Sequence, residues 1–237
     1  MLSHDKPRVG MVVVAHADDA EWGCSGTVAL WCKEGMEVVY VICTDGTKGS
    51  DDLEMTSVLL AQIRRDEQSA ASSVLGVKNV VFLGYEDSML QPTIELRKDI
   101  VRQIRRYRPN VLITSSPNRT LGEGGYIGHP DHMAVGEAAL AAIFPSARDR
   151  LTFPDLLEEG LEPHKVEELL VMPGRQTADM WVDVTETIDL AIQALQQHKS
   201  QVEPESAARH MREWREEVGK PRGMPYAEAF KRFLLPK

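Results

Sequence analysis

Four short apolar runs, separated by longer stretches of helical character, constrain this chain more than any other feature. Val9–Ala15 is apolar at every position except Gly10, as expected for a parallel strand buried on both faces. Val38–Cys43, Val80–Leu83 and Val111–Thr114 share this character. Between them, Ser25–Glu34, Ser57–Leu75 and Thr93–Tyr107 are predicted helices. Gly35 and Gly76 stand just past two of these, where a C-terminal cap favours positive φ, and Pro109 closes the third. The strand–helix alternation predicts an α/β fold with a mostly parallel sheet, right-handed crossovers and helices on both faces.

The second half is less regular. Residues 115–129 form a Gly-rich and polar loop, and Pro130–Phe144 is a predicted helix with Pro at its first position. Leu169–Met172 and Trp181–Val184 are predicted strands, Thr185–Gln201 a helix, and Glu203–Lys220 a charged helical tail. The chain of 237 residues is expected to be one domain. Residues 8–145 carry its motifs, and about 146–237 supply further strands and a C-terminal helical extension.

With 36 acidic against 27 basic residues, the formal net charge is −9, a poor match to a nucleic-acid backbone. Cys24, Cys32 and Cys43 are odd in number and lack the spacing of a Cys-type zinc site, so they read as small buried hydrophobes in a reducing compartment. The N-terminus shows no signal-peptide pattern, and the longest apolar run falls far short of the ~20 residues of a membrane span. A soluble cytoplasmic protein is the expectation.

In an open parallel sheet, ligands bind beyond the carboxyl ends of the strands. Two segments there pair imidazole with carboxylate. His16-Ala17-Asp18-Asp19-Ala20-Glu21 follows the first strand, and His129-Pro130-Asp131-His132 opens the helix after the fourth. His and Asp three residues apart can turn toward one point. A nitrogen from the other segment would complete three protein ligands, the number found in catalytic zinc sites that leave a fourth position for water. Asp18, Asp19 and Glu21 together would repel one another without a cation. As residues alone, Asp19 and Asp131 also fit helix caps. The G-x-G-x-x-G, G-x-S-x-G and G-x-x-x-x-G-K-[ST] patterns are absent, and Gly23 and Gly26 read as close-packing positions.

These segments resemble the LmbE-like/PIG-L family of zinc-dependent N-deacetylases, related to N-acetylglucosaminyl deacetylases. The family's A-H-P-D-D-x-E corresponds to Ala15–Glu21, followed by Gly23 and Gly26, and its H-P-D-H is intact at His129–His132. Between them, Thr44-Asp45-Gly46-Thr47-Lys48-Gly49 is similar to a T-x-G-x-x-G stretch. Arg64, Glu67, Ala71 and Leu75-Gly76, then Leu83-Gly84 and Asp87, match further family positions, as does Tyr226–Phe230 near the end. The resemblance implies a Rossmann-like three-layer sandwich and a hydrolase that removes an N-acetyl or related acyl group from an amino-sugar-type small molecule. It implies one zinc ion held by His16, Asp19 and His132. Asp18 becomes the general base toward water, a protonated His129 faces the developing oxyanion, and Asp131 orients His129. Arg64 and Asp87 resemble sugar-contacting positions, though as residues alone they read as a surface helix charge and a turn residue. A homo-oligomer, often a hexamer, is also implied, with neither nucleic acid nor membrane as partner.

The chain departs from the pattern at two places. Ala17 stands where the family has proline, and Tyr126 lies one residue further from the second motif than the tyrosine some members use as a proton donor. Two rival activities are a non-catalytic, metal-stabilised carbohydrate-binding module and a metal-dependent phosphoesterase. The first has no need of Asp18 or His129, and the second ordinarily uses two metal ions.

Overall fold

The computed structural model describes residues 8–122, 125, 127–172 and 178–236. β1 (Val9–Val14), β2 (Glu37–Thr44), β3 (Asn79–Tyr85), β4 (Val111–Ser115) and β5 (Glu168–Met172) form parallel pairs in the order β3-β2-β1-β4-β5. β7 (Ala227–Leu234) pairs antiparallel with β5 and with the edge strand β6 (Met180–Asp183), giving seven strands in all. The order reverses between β1 and β4, and this is where an open α/β sheet leaves a crevice at its carboxyl edge.

Period-2 alternation divides the core into two layers. Met11, Val13 and Ala15 pack with Leu96, Ile100 and Ile104 of α3 (Ile94–Tyr107) and Val135 and Ala138 of α4 (Pro130–Ala141). Val12 and Val14 face the other way. They pack with Cys24 and Val28 of α1 (Asp19–Lys33) and with Ala71 and Leu75 of α2 (Ser57–Leu75). The strands are therefore apolar on both faces, as their sequences read. A short α5 (Asp155–Glu158) precedes β5. Ile188 and Leu195 of α6 (Ile188–Leu195) and Met211 of α7 (Pro204–Gly219) form a separate cluster beside α1. No helix among the described residues is long and apolar enough to cross a membrane.

Three differences from the sequence reading have physical causes. α1 starts at Asp19 rather than Ser25, but it is broken at Cys24 (φ −152°, ψ 15°), so the predicted helix is the part beyond the break. The helix expected at Thr185–Gln201 is confined to Ile188–Leu195, and the chain beyond it turns back on His198. β7 has no counterpart among the expected elements. Its Ala, Glu, Lys and Arg content favours helix, and non-local pairing with β5 and β6 overrides that preference.

The break in α1 exposes backbone donors that β7 satisfies. Glu228 Oε1 accepts from Gly26 N–H at 2.9 Å, and Oε2 accepts from Thr27 N–H at 2.8 Å. Arg215 of α7 donates to the same carboxylate at 3.0 Å and to Trp22 O at 2.6 Å. Both ends of the Arg215–Glu228 pair are buried. Removing one partner of such a pair leaves an uncompensated charge, at a cost of about 3–5 kcal/mol. Glu228→Ala should lower unfolding stability in urea by about that amount. A loss below about 1 kcal/mol would show that the pair is not supporting α1.

Candidate metal centre and active site

The loops after β1, β3 and β4 meet at the sheet's point of reversal. His16 leaves β1, Asp87 follows β3, and His129–His132 opens α4. Gly136 lets α4 come close to the end of β4, since a Cβ there would stand 2.5 Å from Ser115 O. This places the imidazoles of His16, His129 and His132 with ring centroids 4.7–5.5 Å apart.

His16, Asp19 and His132 each offer one ligand atom, and these atoms all lie within 4.8 Å of one another. His16 Nδ1 is 3.4 Å from Asp19 Oδ2, and His132 Nε2 is 2.9 Å from Asp19 Oδ1. A second candidate group, His16, Asp87, His129 and Asp131, shares His16. The hydrogen bonding favours the first. His16 Nε2 faces the buried carboxylates of Asp131 at 3.1 Å and Asp87 at 3.2 Å. Asp131 is further occupied by the N–H groups of Ser88 and Leu90, and Asp87 by that of Lys48. A ligand histidine ordinarily gives its other ring nitrogen to a carboxylate, which leaves Nδ1 of His16 to point at Asp19 and His132. Two imidazoles and a carboxylate with one histidine braced from behind suit a divalent cation of the zinc type.

Without a metal, protonated imidazole is the balancing cation. Burial alone would push His16 down, but the Asp19 charge and hydrogen bonds to Asp131, Asp19 and Asp87 carry it up to about 12. Burial also opposes protonation of His132, and Asp19 outweighs it, so this pKa is raised. Burial pushes the Asp19 carboxyl up, yet His132 and His16 hold it well below the usual carboxylate range. Glu21 does not join this cluster. It turns into the interior, where Gln68 Nε2 donates to both its oxygens at 3.1 Å and His198 Nε2 lies 3.1 Å from Oε2.

Asp18 is placed differently from Asp19. Its backbone is left-handed (φ 90°, ψ −24°), a conformation that costs a non-glycine residue roughly 1–3 kcal/mol. It occupies the N-cap position of α1 without capping through its side chain. The carboxylate lines an open cleft of about 180 Å³ with His16, Lys48, Arg64, Asp87 and His129. Burial first, and then the neighbouring Asp19 charge, push its carboxyl up to about 7 against the pull of Arg64, His198 and His16.

The contacts at the start of α4 place two further groups. Asp131 orients His129 through its backbone, with its N–H donating to His129 Nδ1 at 3.2 Å. Its carboxylate lies 4.0 Å from that nitrogen and braces His16 instead. Burial and the charge on His16 lower the pKa of His129. With Nδ1 accepting from the Asp131 N–H, Nε2 is the ring nitrogen able to carry a proton. Arg64 and Asp87 both line the cleft: Arg64 Nη2 donates to Ala17 O at 2.8 Å while its buried Nε has no hydrogen-bond partner, and Asp87 contacts His16. Tyr126 lies outside the described residues. Gln68, Ser88, His198 and the rim residue Gln201 carry no sequence signal that singles them out.

The comparisons with known proteins give the family and the fold. Residues 11–143 match the model of the PIG-L family, described as GlcNAc-PI de-N-acetylase. The chain belongs to the PIG-L family. It is 30% identical to the diacetylchitobiose deacetylase of Thermococcus kodakarensis over 81% of this chain and 69% of that protein. It is 31% identical to the 1D-myo-inositol 2-acetamido-2-deoxy-alpha-D-glucopyranoside deacetylase of Rhodococcus erythropolis, covering 81% of this chain and 80% of that one. The fold of this PIG-L protein is that of N,N'-diacetylchitobiose deacetylase from Pyrococcus horikoshii, with a TM-score of 0.87 and 27% identity over 96% of this chain and 84% of that chain.

Metal binding needs deprotonated imidazoles, and both candidate ligand histidines have raised pKa values in the metal-free protein. Uptake of zinc at pH 7 should therefore release protons, and affinity should fall as pH is lowered. Calorimetry in buffers of different ionisation enthalpy checks this. A heat that does not change with buffer would mean that the imidazoles are neutral before binding.

Proposed function

We propose that this chain, a deacetylase by family, hydrolyses the N-acetyl group of an N-acetylglucosamine-type substrate, with one zinc ion held by His16, Asp19 and His132. The observation that carries the reading is the placement of Asp18. Its carboxylate lies beside the candidate metal ligands, lines the cleft and caps nothing, and the backbone that holds it there is strained.

Zinc in such a site would act as a Lewis acid and lower the pKa of water to about 7. Asp18 takes a proton from the attacking water as the new C–O bond forms at the acetamide carbonyl. His129 donates its Nε2–H toward the developing oxyanion. Loss of one such donor typically costs about 100–1,000-fold in rate. As the C–N bond breaks, Asp18 returns the proton to the leaving nitrogen. The products are acetate and a primary amine. Asp131 and Asp87 hold His16 from behind and do not act on the substrate through that contact. The cleft is smaller than the roughly 300–1,000 Å³ of pockets that enclose a drug-sized ligand. It suits the acetamido group and its sugar ring, with the rest of the molecule beyond the rim near Lys48 and Gln201. The relatives' names supply the substrate class, since each acts on an acetylated amino sugar.

The two-metal phosphoesterase is less well supported. Both candidate ligand groups among the described residues draw on His16, and its Nε2 is already committed to carboxylates, so the described residues provide for one ion. Metal analysis should give about one zinc per chain, against the two of a two-metal site.

Asp18→Asn keeps the side chain's shape and removes its basicity. It should retain zinc and lower kcat for acetate release from N,N'-diacetylchitobiose by about 100–10,000-fold, with KM little changed. A normal rate per folded, zinc-loaded molecule would refute the role of Asp18. Loss of zinc would mean that the two aspartates have exchanged roles.

A further inference from the structure

The peptide group between Ala17 and Asp18 is gripped at both of its polar ends by α2. Its carbonyl accepts from Arg64 Nη2 at 2.8 Å, and its N–H donates to Gln68 Oε1 at 3.1 Å. Positions 64 and 68 are one helical turn apart on the same face, so one rigid element fixes the plane of this peptide. The residue that follows is Asp18, in its left-handed conformation.

The grip at Gln68 has a defined polarity. Gln68 is fully buried, and its Nε2 donates to both oxygens of Glu21 at 3.1 Å. Reversing the amide would aim Oε1 at a carboxylate and Nε2 at the Asp18 N–H, two unfavourable contacts with no water to relieve them. Glu21 is itself fixed by His198 Nε2 at 3.1 Å, and neither residue is exposed to solvent. The contacts form one buried chain running from His198 through Glu21 and Gln68 to the Asp18 amide.

We infer that Gln68 is a positioning residue for Asp18, kept in its working orientation by the buried Glu21–His198 pair. This rests on Asp18 being the base. Gln68 touches neither the cleft nor the candidate metal ligands, and it acts through one backbone hydrogen bond. Without it, the Ala17–Asp18 peptide keeps only its carbonyl contact and can rotate, relieving the left-handed strain and swinging the carboxylate away from the acetamide. A displacement of about 1 Å can cost on the order of 100-fold in rate.

Gln68→Met preserves the volume and removes the hydrogen bond to the Asp18 amide together with those to Glu21 and Ser72. It should retain zinc and an unchanged KM, while kcat for acetate release from N,N'-diacetylchitobiose falls about 10–100-fold per folded molecule. Its crystal structure should show Asp18 out of the left-handed region. Gln68→Glu should also be impaired, because two carboxylates then face each other. The double variant Glu21→Gln/Gln68→Glu exchanges the groups, keeps an acceptor for the Asp18 N–H and restores a donor–acceptor contact between positions 21 and 68, so it should recover most of the rate lost in Gln68→Glu. This gives a second route if the methionine variant does not fold. A role confined to stability predicts lower melting temperatures, normal kcat per folded molecule, an unmoved Asp18 and no rescue by the exchange; any of the last three results would overturn the inference. Asp18→Asn measured alongside separates the two readings. Normal activity in Asp18→Asn removes the base and this inference with it, whereas a slow Asp18→Asn beside a normal Gln68→Met removes the inference alone.

Discussion

The buried carboxylate of Glu228 is the contact on which the rest of the site depends. The first motif needs a sharp turn after β1 to deliver Asp18 and Asp19 to the crevice, and a helix behind it to pack on the sheet. One unbroken helix does not do both, and α1 breaks at Cys24. A broken helix leaves backbone donors without partners inside the protein, which is costly. Glu228 satisfies two of them, and Arg215 balances its charge while donating to Trp22 O. The last strand and last long helix, remote in sequence, therefore make the first motif's geometry affordable in free energy.

Charge balance is the second constraint. The crevice gathers Asp18, Asp19, Asp87 and Asp131 where three are buried or nearly so. Carboxylates crowded in this way require a cation, and the fold divides that requirement. Asp19 faces His16 and His132, Asp131 and Asp87 face the opposite nitrogen of His16, and Arg64 stands 3.8 Å from both Asp18 and Asp87. Glu21 is removed from the cluster altogether by Gln68 and His198. Imidazolium can hold the set together and then yield its place to a metal, because a proton on His16 Nδ1 and a metal ion there are alternatives.

Legibility in the sequence follows distance along the chain. β1 to β4 and the helices between them are local patterns of period and cap, and Ser57–Leu75 is found where its cap signals place it. His16 with Asp19, and His129 with His132, are close in sequence and stand at predicted strand ends, so their convergence on one crevice follows from topology. The direction taken by Asp131 is not local. Its carboxylate meets His16 across 115 positions, and only the packing of α4 decides between that partner and His129. Glu21 and His198 meet across 177 positions, and Gln68 joins them as a neutral amide in the middle of a helix, a residue type that announces no chemistry. β7 was hidden for a related reason: its composition speaks for helix, and only its neighbours in the sheet make it a strand.

Two adjacent aspartates are set apart by backbone conformation. Identical side chains at positions 18 and 19 have equal intrinsic chemistry. Asp19 is the first residue of α1, with its carboxylate turned back to accept from His16 N–H at 2.8 Å, so it lies against the two histidines. Asp18, in the left-handed region, projects its carboxylate toward the cleft and Arg64. The same conformational difference separates their acidities: His132 and His16 hold Asp19 ionised, while burial and the fixed charge of Asp19 raise Asp18 to about 7. A group intended to bind metal needs the first environment, and a group intended to exchange protons near neutrality needs the second. One peptide's orientation thus gives the two carboxylates the different surroundings that the proposed roles of ligand and base require, and a single strained φ angle is the feature that makes the two residues unequal.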